Sequence, residues 1–218
     1  MTPHAPTAYD DSAKPEIWPF IPRGATRLLD VGCWKGAFGA AMVARGMEVW
    51  CIEPREEAAQ VASSRIHRVV LGAFPADAPE ATFDVITFLD VIEHLPDPWD
   101  AVNRAKALLD PQGVVVALIP NVRHLSVVWP LVRGGRWDYA DAGILDRTHL
   151  RFFTQTTANE LFTGAGYRLL TSDLLNPSPA TGWLRFLMPA LGRRRQEFEF
   201  THLAIVAQPR GAAPLGEA

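Results

Sequence analysis

Seven short apolar runs alternate with helical patterns along this chain, and several of those runs have no polar face at all. GVVVALIPN, residues 113–121, is apolar at successive positions, which suits a strand covered on both sides. TRLLDVG (26–32), MEVWCIEP (47–54), HRVVLG (67–72) and FDVITFLD (83–90) read as strands of the same sheet. Between them, GAFGAAMVARG (36–46), REEAAQVASSR (55–65) and DPWDAVNRAKALLD (97–110) read as helices. Gly46 closes the first of these, while Asp97 caps the third with Pro98 at its first helical position. TQTTANELFTGAG (154–166) adds a helix, and YRLLTSD (167–173) and FEFTHLAIVAQP (198–209) add strands. Strands alternating with helices predict an α/β chain with a doubly wound, mostly parallel, seven-stranded sheet.

Two stretches break the alternation: residues 122–152 and residues 176–197. In such sheets, insertions beyond the carboxyl ends of the strands build the substrate pocket, so both are expected to form lids. A single domain over residues 1–208 accommodates everything else, with 209–218 as a mobile tail. The net charge of −3 gives no general basic footprint for nucleic acid. Cys33 and Cys51 lack metal-ligand spacing and read as buried, reduced thiols. With neither a secretory leader nor an apolar run of about 20 residues, the expected location is the cytoplasm.

The stretch LLDVGCWKG (28–36) carries the first chemical signal. Gly32 and Gly36 frame a strand-to-helix turn, and Glu53 ends the next strand 21 residues after Gly32. An acid so placed accepts hydrogen bonds from ribose hydroxyls, which points to a nucleoside-containing cofactor. A dinucleotide needs glycine where its pyrophosphate meets the backbone, but positions 34 and 37 are Trp and Ala. A nicotinamide-dependent oxidoreductase is therefore the weaker assignment.

LLDVGCWKG, IEP (52–54), residues 83–121 and THLRFFT (148–154) together resemble the class I S-adenosylmethionine-dependent methyltransferases. Within them the chain is most similar to the ubiquinone-pathway O-methyltransferases and to bacterial small-molecule and glycan methyltransferases. The resemblance covers roughly residues 25–170 and implies a Rossmann-like sheet ending in an antiparallel hairpin. It also implies S-adenosylmethionine as cofactor and S-adenosylhomocysteine as product. By the same resemblance Asp30, Gly32, Cys33, Trp34 and Gly36 form the turn around the amino-acid half of the cofactor. Glu53 and Pro54 hold the ribose, Gly72 and Ala73 border the adenine, and Leu89, Asp90 and Val91 line the sulfonium. Two positions depart from the pattern: Trp34 replaces a common glycine, and Ala73 stands where an acid usually meets the adenine amino group. Trp34 is tolerable with its ring directed away from the ligand, and Asp77 or a backbone carbonyl could replace the missing acid.

Methyl transfer to a hydroxyl needs a base, and His is the residue suited to it near neutrality. His149 in the first insertion is the favoured base with Asp146 to orient it, and His94 is the second candidate. His124 is weaker, while His67 and His202, inside strands, read as structural. Asp90, Glu93 and His94 could be mistaken for a metal site, but neighbours in sequence seldom supply a whole one, so no metal is expected.

Arg123, Arg133, Arg136, Arg147 and Arg151 suggest an anionic acceptor, and Trp129, Trp137, Tyr139 and Phe152 an aromatic or sugar-stacking wall. GWLRFLMPALGRRRQ (182–196) reads as a lid helix, with contact to an anionic membrane surface as its alternative. The expected activity is O-methylation of a secondary metabolite, quinone precursor or sugar by a monomer or homodimer. The alternatives are N- or C-methylation and a degenerate fold acting as a non-catalytic scaffold.

Overall fold

A computed structural model of the protein describes residues 11–179 and 195–212. The elements are β1 (Arg27–Val31), α1 (Ala37–Val43), β2 (Glu48–Glu53), α2 (Glu56–Ala62), β3 (Arg68–Leu71), β4 (Phe83–Leu89), α3 (Pro98–Ala107) and β5 (Leu109–Pro120). They continue with α4 (Leu125–Gly134), α5 (Gln155–Gly164), β6 (Tyr167–Pro177) and β7 (Phe200–Pro209). The strands form one seven-stranded sheet in the order β3-β2-β1-β4-β5-β7-β6. β1 to β5 pair in parallel, and β7 runs antiparallel to both β5 and β6. The expected doubly wound sheet with its C-terminal hairpin is the one observed.

Alternate residues of each central strand feed two separate cores. Leu29, Ile86, Phe88, Val115 and Ala117 pack with Ala101 and Val102 of α3 and Leu161 and Phe162 of α5. Leu28, Val85, Val114 and Val116 pack on the other side with Phe38 and Met42 of α1 and with Ile17. Each fully buried Phe, Leu or Val side chain contributes about 1.5–3 kcal/mol, so covering both faces is what holds this sheet between its helices. Among the described residues no helix is long and apolar enough to cross a membrane.

Several elements differ from expectation. α3 stops at Ala107 and β5 begins at Leu109, before the predicted helix end at residue 110. Pro111 accounts for this, because it pushes Asp110 out of helical backbone. β6 runs on to Pro177 rather than ending at residue 173, since Pro177 still pairs with Phe200 of β7. The first insertion contains an unexpected helix, α4, capped by His124 and closed by Gly135 in left-handed backbone (φ 63°). Most of the GWLRFLMPALGRRRQ segment, and residues 213–218 of the expected 209–218 tail, lie outside the described residues.

Candidate functional site

Strand order reverses between β1 and β4, and the carboxyl ends of these strands open a crevice, the place where open α/β sheets hold ligands. The β1 exit turns sharply. Gly32 has φ 69°, donates its N–H to the carbonyl of Ile52 (2.8 Å), and leaves no room for a Cβ, which would meet Val91 Cγ2 at 2.7 Å. Gly36 opens α1 at φ 82° against Ile66 and Ala62. Between them Trp34 also has positive φ, 51°. Left-handed backbone costs a residue with a Cβ roughly 1–2 kcal/mol, which is why glycine suits this position. The Trp34 N–H donates to Glu53 Oε2 at 2.9 Å. Its ring lies 5.6 Å from Lys35 Nζ and 5.3 Å from the Arg55 guanidinium.

Glu53 ends β2 almost fully buried, and its Oε1 accepts from the Arg55 N–H at 3.0 Å. Burial raises its pKa, opposed by the amides of Arg55 and Trp34. A carboxylate has about four acceptor positions, so two amides leave capacity for ribose hydroxyls. This acid forms one wall of a cavity of about 410 Å³, with Gly32, Trp34, Pro54, Ala73, Asp90 and Val91 also in its lining. Gly72 lies at the β3 exit beside it. Asp77 is turned back on its own loop, its Oδ2 accepting from the Ala73 N–H at 2.9 Å.

A second cavity, of about 210 Å³, adjoins the first across Gly32, Trp34, Asp90 and His94, which line both. Asp30, Cys33 and Leu89 belong to this second wall. Asp30 is buried, accepts the Thr87 hydroxyl at 2.7 Å, and has its pKa raised by burial to about 7. Cys33 and Cys51 are buried free thiols, and Cys51 together with burial pushes the Cys33 thiol up. Asp90, at φ 56°, reaches Lys14 Nζ at 2.8 Å and stands 3.5 Å from His202 Nε2.

Residues 141–149 cover this cavity. The N–H groups of Leu150 and Arg151 both donate to the Glu93 carbonyl, at 2.8 and 3.0 Å, clipping the lid loop to the β4 exit. His149 is buried, and its Nδ1 donates to the Ile144 carbonyl (2.9 Å), so the hydrogen-bond pattern puts the lone pair on Nε2. His94 Nδ1 lies 3.3 Å from the Thr148 carbonyl, giving the same tautomer. Burial, then the charge of His149, holds the His94 pKa below the ordinary imidazole value. The two rings meet edge to face at 4.7 Å. Asp146 does not orient His149 as expected. Its Oδ1 accepts from the N–H and hydroxyl of Thr148, at 2.7 and 2.6 Å, and shapes the loop instead.

Glu93 is 1% exposed, and neither carboxylate oxygen has a hydrogen-bond partner among the described residues. Its Oε1 lies 3.9 Å from His149 Nε2. Burial and then the neighbouring charge of Asp90 push its pKa well up. Ligand atoms of Glu93, His94 and His149 all lie within 4.8 Å of one another, a set able to hold a divalent cation. Sequence adjacency showed only Glu93 and His94; the clipped lid loop supplies the third.

Other expected features fall elsewhere. Arg123 pairs with Glu197 (3.1 Å), Arg136 with Asp138, Arg147 with Asp141, and Arg151 donates to the Pro96 carbonyl. None of the five arginines proposed to meet an anion lines either cavity. The second cavity is instead acidic, with Asp11, Asp30, Asp90, Glu93, Asp141 and Asp146 against the single lysine Lys14. Trp137 and Tyr139 each pack against Phe152, which itself meets His149, and the Arg133 guanidinium lies over Trp129, all four of these aromatic residues outside both linings. His67 accepts from the Val49 N–H, and His124 caps α4, both structural. Lys14 and His202 are the site residues that sequence reasoning missed. The signal for His202 is its pairing with Pro120, the last residue of β5 at the crevice.

Comparison with known proteins agrees with this geometry. A family model described as a methyltransferase domain matches residues 5–172. A ubiquinone biosynthesis O-methyltransferase of Psychrobacter arcticus is 29% identical over 201 residues, covering 84% of this chain and 72% of that one. Its counterpart in Alkalilimnicola ehrlichii is 38% identical over 116 residues, 49% of this chain and 46% of the other. The chain thus spans about half the length of several of the curated relatives it matches. Among solved structures, an S-adenosylmethionine-dependent methyltransferase from Archaeoglobus fulgidus superposes with a TM-score of 0.67 at 17% identity, over 88% of this chain and 90% of that one. A magnesium protoporphyrin IX methyltransferase from Synechocystis, solved with S-adenosylhomocysteine bound, superposes with a TM-score of 0.59 at 12% identity, over 89% of this chain and 78% of that one.

Proposed function

The chain belongs to the S-adenosylmethionine-dependent methyltransferases, and from that premise we propose that it methylates a hydroxyl oxygen of a neutral small molecule, with His149 as the base. The observation that carries this reading is the His149 imidazole, whose Nε2 lone pair is presented in the wall of the acidic cavity. The cofactor's nucleoside fits the 410 Å³ cavity, with ribose hydroxyls on Glu53, Trp34 and Pro54 beside it and Ala73 at the base end. Its amino-acid arm fits along Asp30, Gly32 and Cys33, with the sulfonium beside Leu89, Asp90 and Val91. Bound there, it supplies an electrophilic methyl carbon.

The protein's own work is alignment and proton removal. Charge disappears as the methyl group moves, so holding nucleophile, carbon and sulfur in line outweighs any charge stabilisation. His149 Nε2 accepts the hydroxyl proton, the Ile144 carbonyl fixes the ring, and His94 stays neutral beside it. Residues 141–146 keep water from the reacting atoms. The acid-rich wall disfavours an anionic acceptor, and the relatives' names favour a quinone precursor.

The test is methyl transfer to a panel of catechols, hydroxylated quinone precursors and sugars by the protein and by His149→Ala. Loss of turnover with intact binding of S-adenosylhomocysteine supports the assignment, and unchanged turnover removes it. A second reading rests on the Glu93–His94–His149 set, in which a divalent cation would orient the acceptor oxygen and lower its pKa, leaving His149 a ligand. Dialysis against a chelator separates the two: loss restored by magnesium or manganese favours the cation, and unchanged turnover favours the free imidazole.

A further inference from the structure

The far end of the larger cavity departs from what a nucleoside site ordinarily offers. If the ribose meets Glu53 and the amino-acid arm leaves toward Asp30, the base has one remaining direction, past Pro54 toward the β3 exit. This step rests on the placement proposed above. There the wall consists of Ala73 and Phe74 on one side and Leu95 and Pro96 on the other, none with a polar side-chain atom. Phe74 is locked in place edge-to-face on Phe88 at 5.6 Å. The nearby carboxylate, Asp77, is withdrawn. Its Oδ2 accepts from the Ala73 N–H at 2.9 Å, the carboxyl group packs so closely on Gly72 that a Cβ there would lie 2.7 Å from that oxygen, and Asp77 is absent from the cavity lining. Elsewhere in the lining, the Arg55 guanidinium can only donate and offers nothing to an amino group, while the Thr148 hydroxyl and His94 Nδ1 are engaged with each other at 3.2 Å, that hydroxyl also donating to Asp146.

We propose that this methyltransferase holds the purine of its cofactor by shape and apolar contact, without a side chain reading the 6-amino group. It therefore takes cofactors altered at purine C6. A carboxylate accepting from that amino group would be a charge-assisted hydrogen bond, worth about a 10- to 150-fold change in affinity when its partner is removed. An apolar wall makes no such distinction.

The experiment is calorimetric titration of the full chain with S-adenosylhomocysteine and with its 6-deamino analogue, in which hydrogen replaces the amino group. The ratio of the two dissociation constants is expected to stay below about threefold. A ratio of tenfold or more overturns the proposal, whether Asp77 or a backbone carbonyl is the reader, and Asp77→Asn then tells which. Ala73→Asp is expected to restore discrimination, raising the ratio about tenfold in favour of the adenine compound. If Ala73→Asp disturbs its own loop, the wild-type ratio still decides. Glu53→Ala guards the placement. Equal weakening of both compounds keeps the nucleoside in this cavity, whereas normal affinity for both moves it elsewhere without altering what the ratio says about the amino group.

Discussion

The two cavities share a wall at Gly32, Trp34, Asp90 and His94, yet they are built in opposite ways. The larger one is made from strand exits: the turn after β1, Glu53 after β2, Ala73 after β3 and Val91 after β4. Thr148 of the lid loop apart, its parts lie within a few residues of a strand end, and its acids are few. The smaller one is drawn from distant pieces: Lys14 before the first strand, the lid loop at 141–149, and His202 in the last strand. It concentrates carboxylates and imidazoles. On the proposed reading, the difference teaches that the cofactor's nucleoside is met by local motifs, whereas the acceptor side is assembled by tertiary structure.

That contrast can be broken experimentally. The largest effect expected is on chemistry: His149→Ala should lower turnover by about 10²- to 10⁴-fold while S-adenosylhomocysteine affinity changes less than about threefold, as read by steady-state kinetics beside calorimetry. A parallel loss of affinity would show the cavities are not separable. Next comes the stored cost of Asp30. Its carboxyl titrates near 3.8 when unfolded but at about 7 in the fold, so the folded state keeps a proton that the unfolded chain has released. Stability therefore falls as pH rises between those values, and the full penalty is present above about 7, with an upper limit of roughly 4 kcal/mol at about 1.4 kcal/mol per unit. Asp30→Asn should melt with the parent below pH 4 and at higher temperature at pH 8. Equal melting at both would remove the penalty.

Glu53→Ala should weaken S-adenosylhomocysteine binding by about 10- to 100-fold, sharpening the assignment of the larger cavity, and should spare the lid loop. The smallest effect is at Trp34. Glycine there relieves left-handed backbone but discards the ring's contacts with Lys35 and Arg55, so Trp34→Gly should shift stability by less than about 1 kcal/mol in either direction. A larger loss in thermal melting would mean that the ring, and not only the Trp34 N–H, holds the turn.

The sheet was legible because its strands are local statements: residues 83–89 and 113–120 are nearly all buried, and their sequences have no face for water. α4 was not, because Leu125, Val127, Val128, Trp129, Leu131 and Val132 leave it no polar face to show a helical period, and Pro130 sits inside it. Gly32 and Glu53 were readable from their spacing along one βαβ unit, Asp30 and Asp90 from the family resemblance, and all four line the crevice. Lys14 and His202 were not, since each reaches Asp90 from beyond 75 residues away in the chain, through register and packing that no local pattern encodes. Asp146 was assigned the right neighbourhood and the wrong partner. Proximity in sequence to His149 said nothing about which atom of the loop would face the ring, and the Ile144 carbonyl does.

The strand order carries a consequence for how the molecule comes into being. β6 lies at the sheet edge and pairs with β7, which stands between it and β5. As the chain leaves the ribosome, β6 therefore emerges before the strand that must receive it, and it has no place in the sheet until the last strand has been made. The five parallel strands all precede both of them in the chain. The hairpin that brings His202 to Asp90 closes only once β7 has been made, so a protein truncated within β7 loses two strands rather than one.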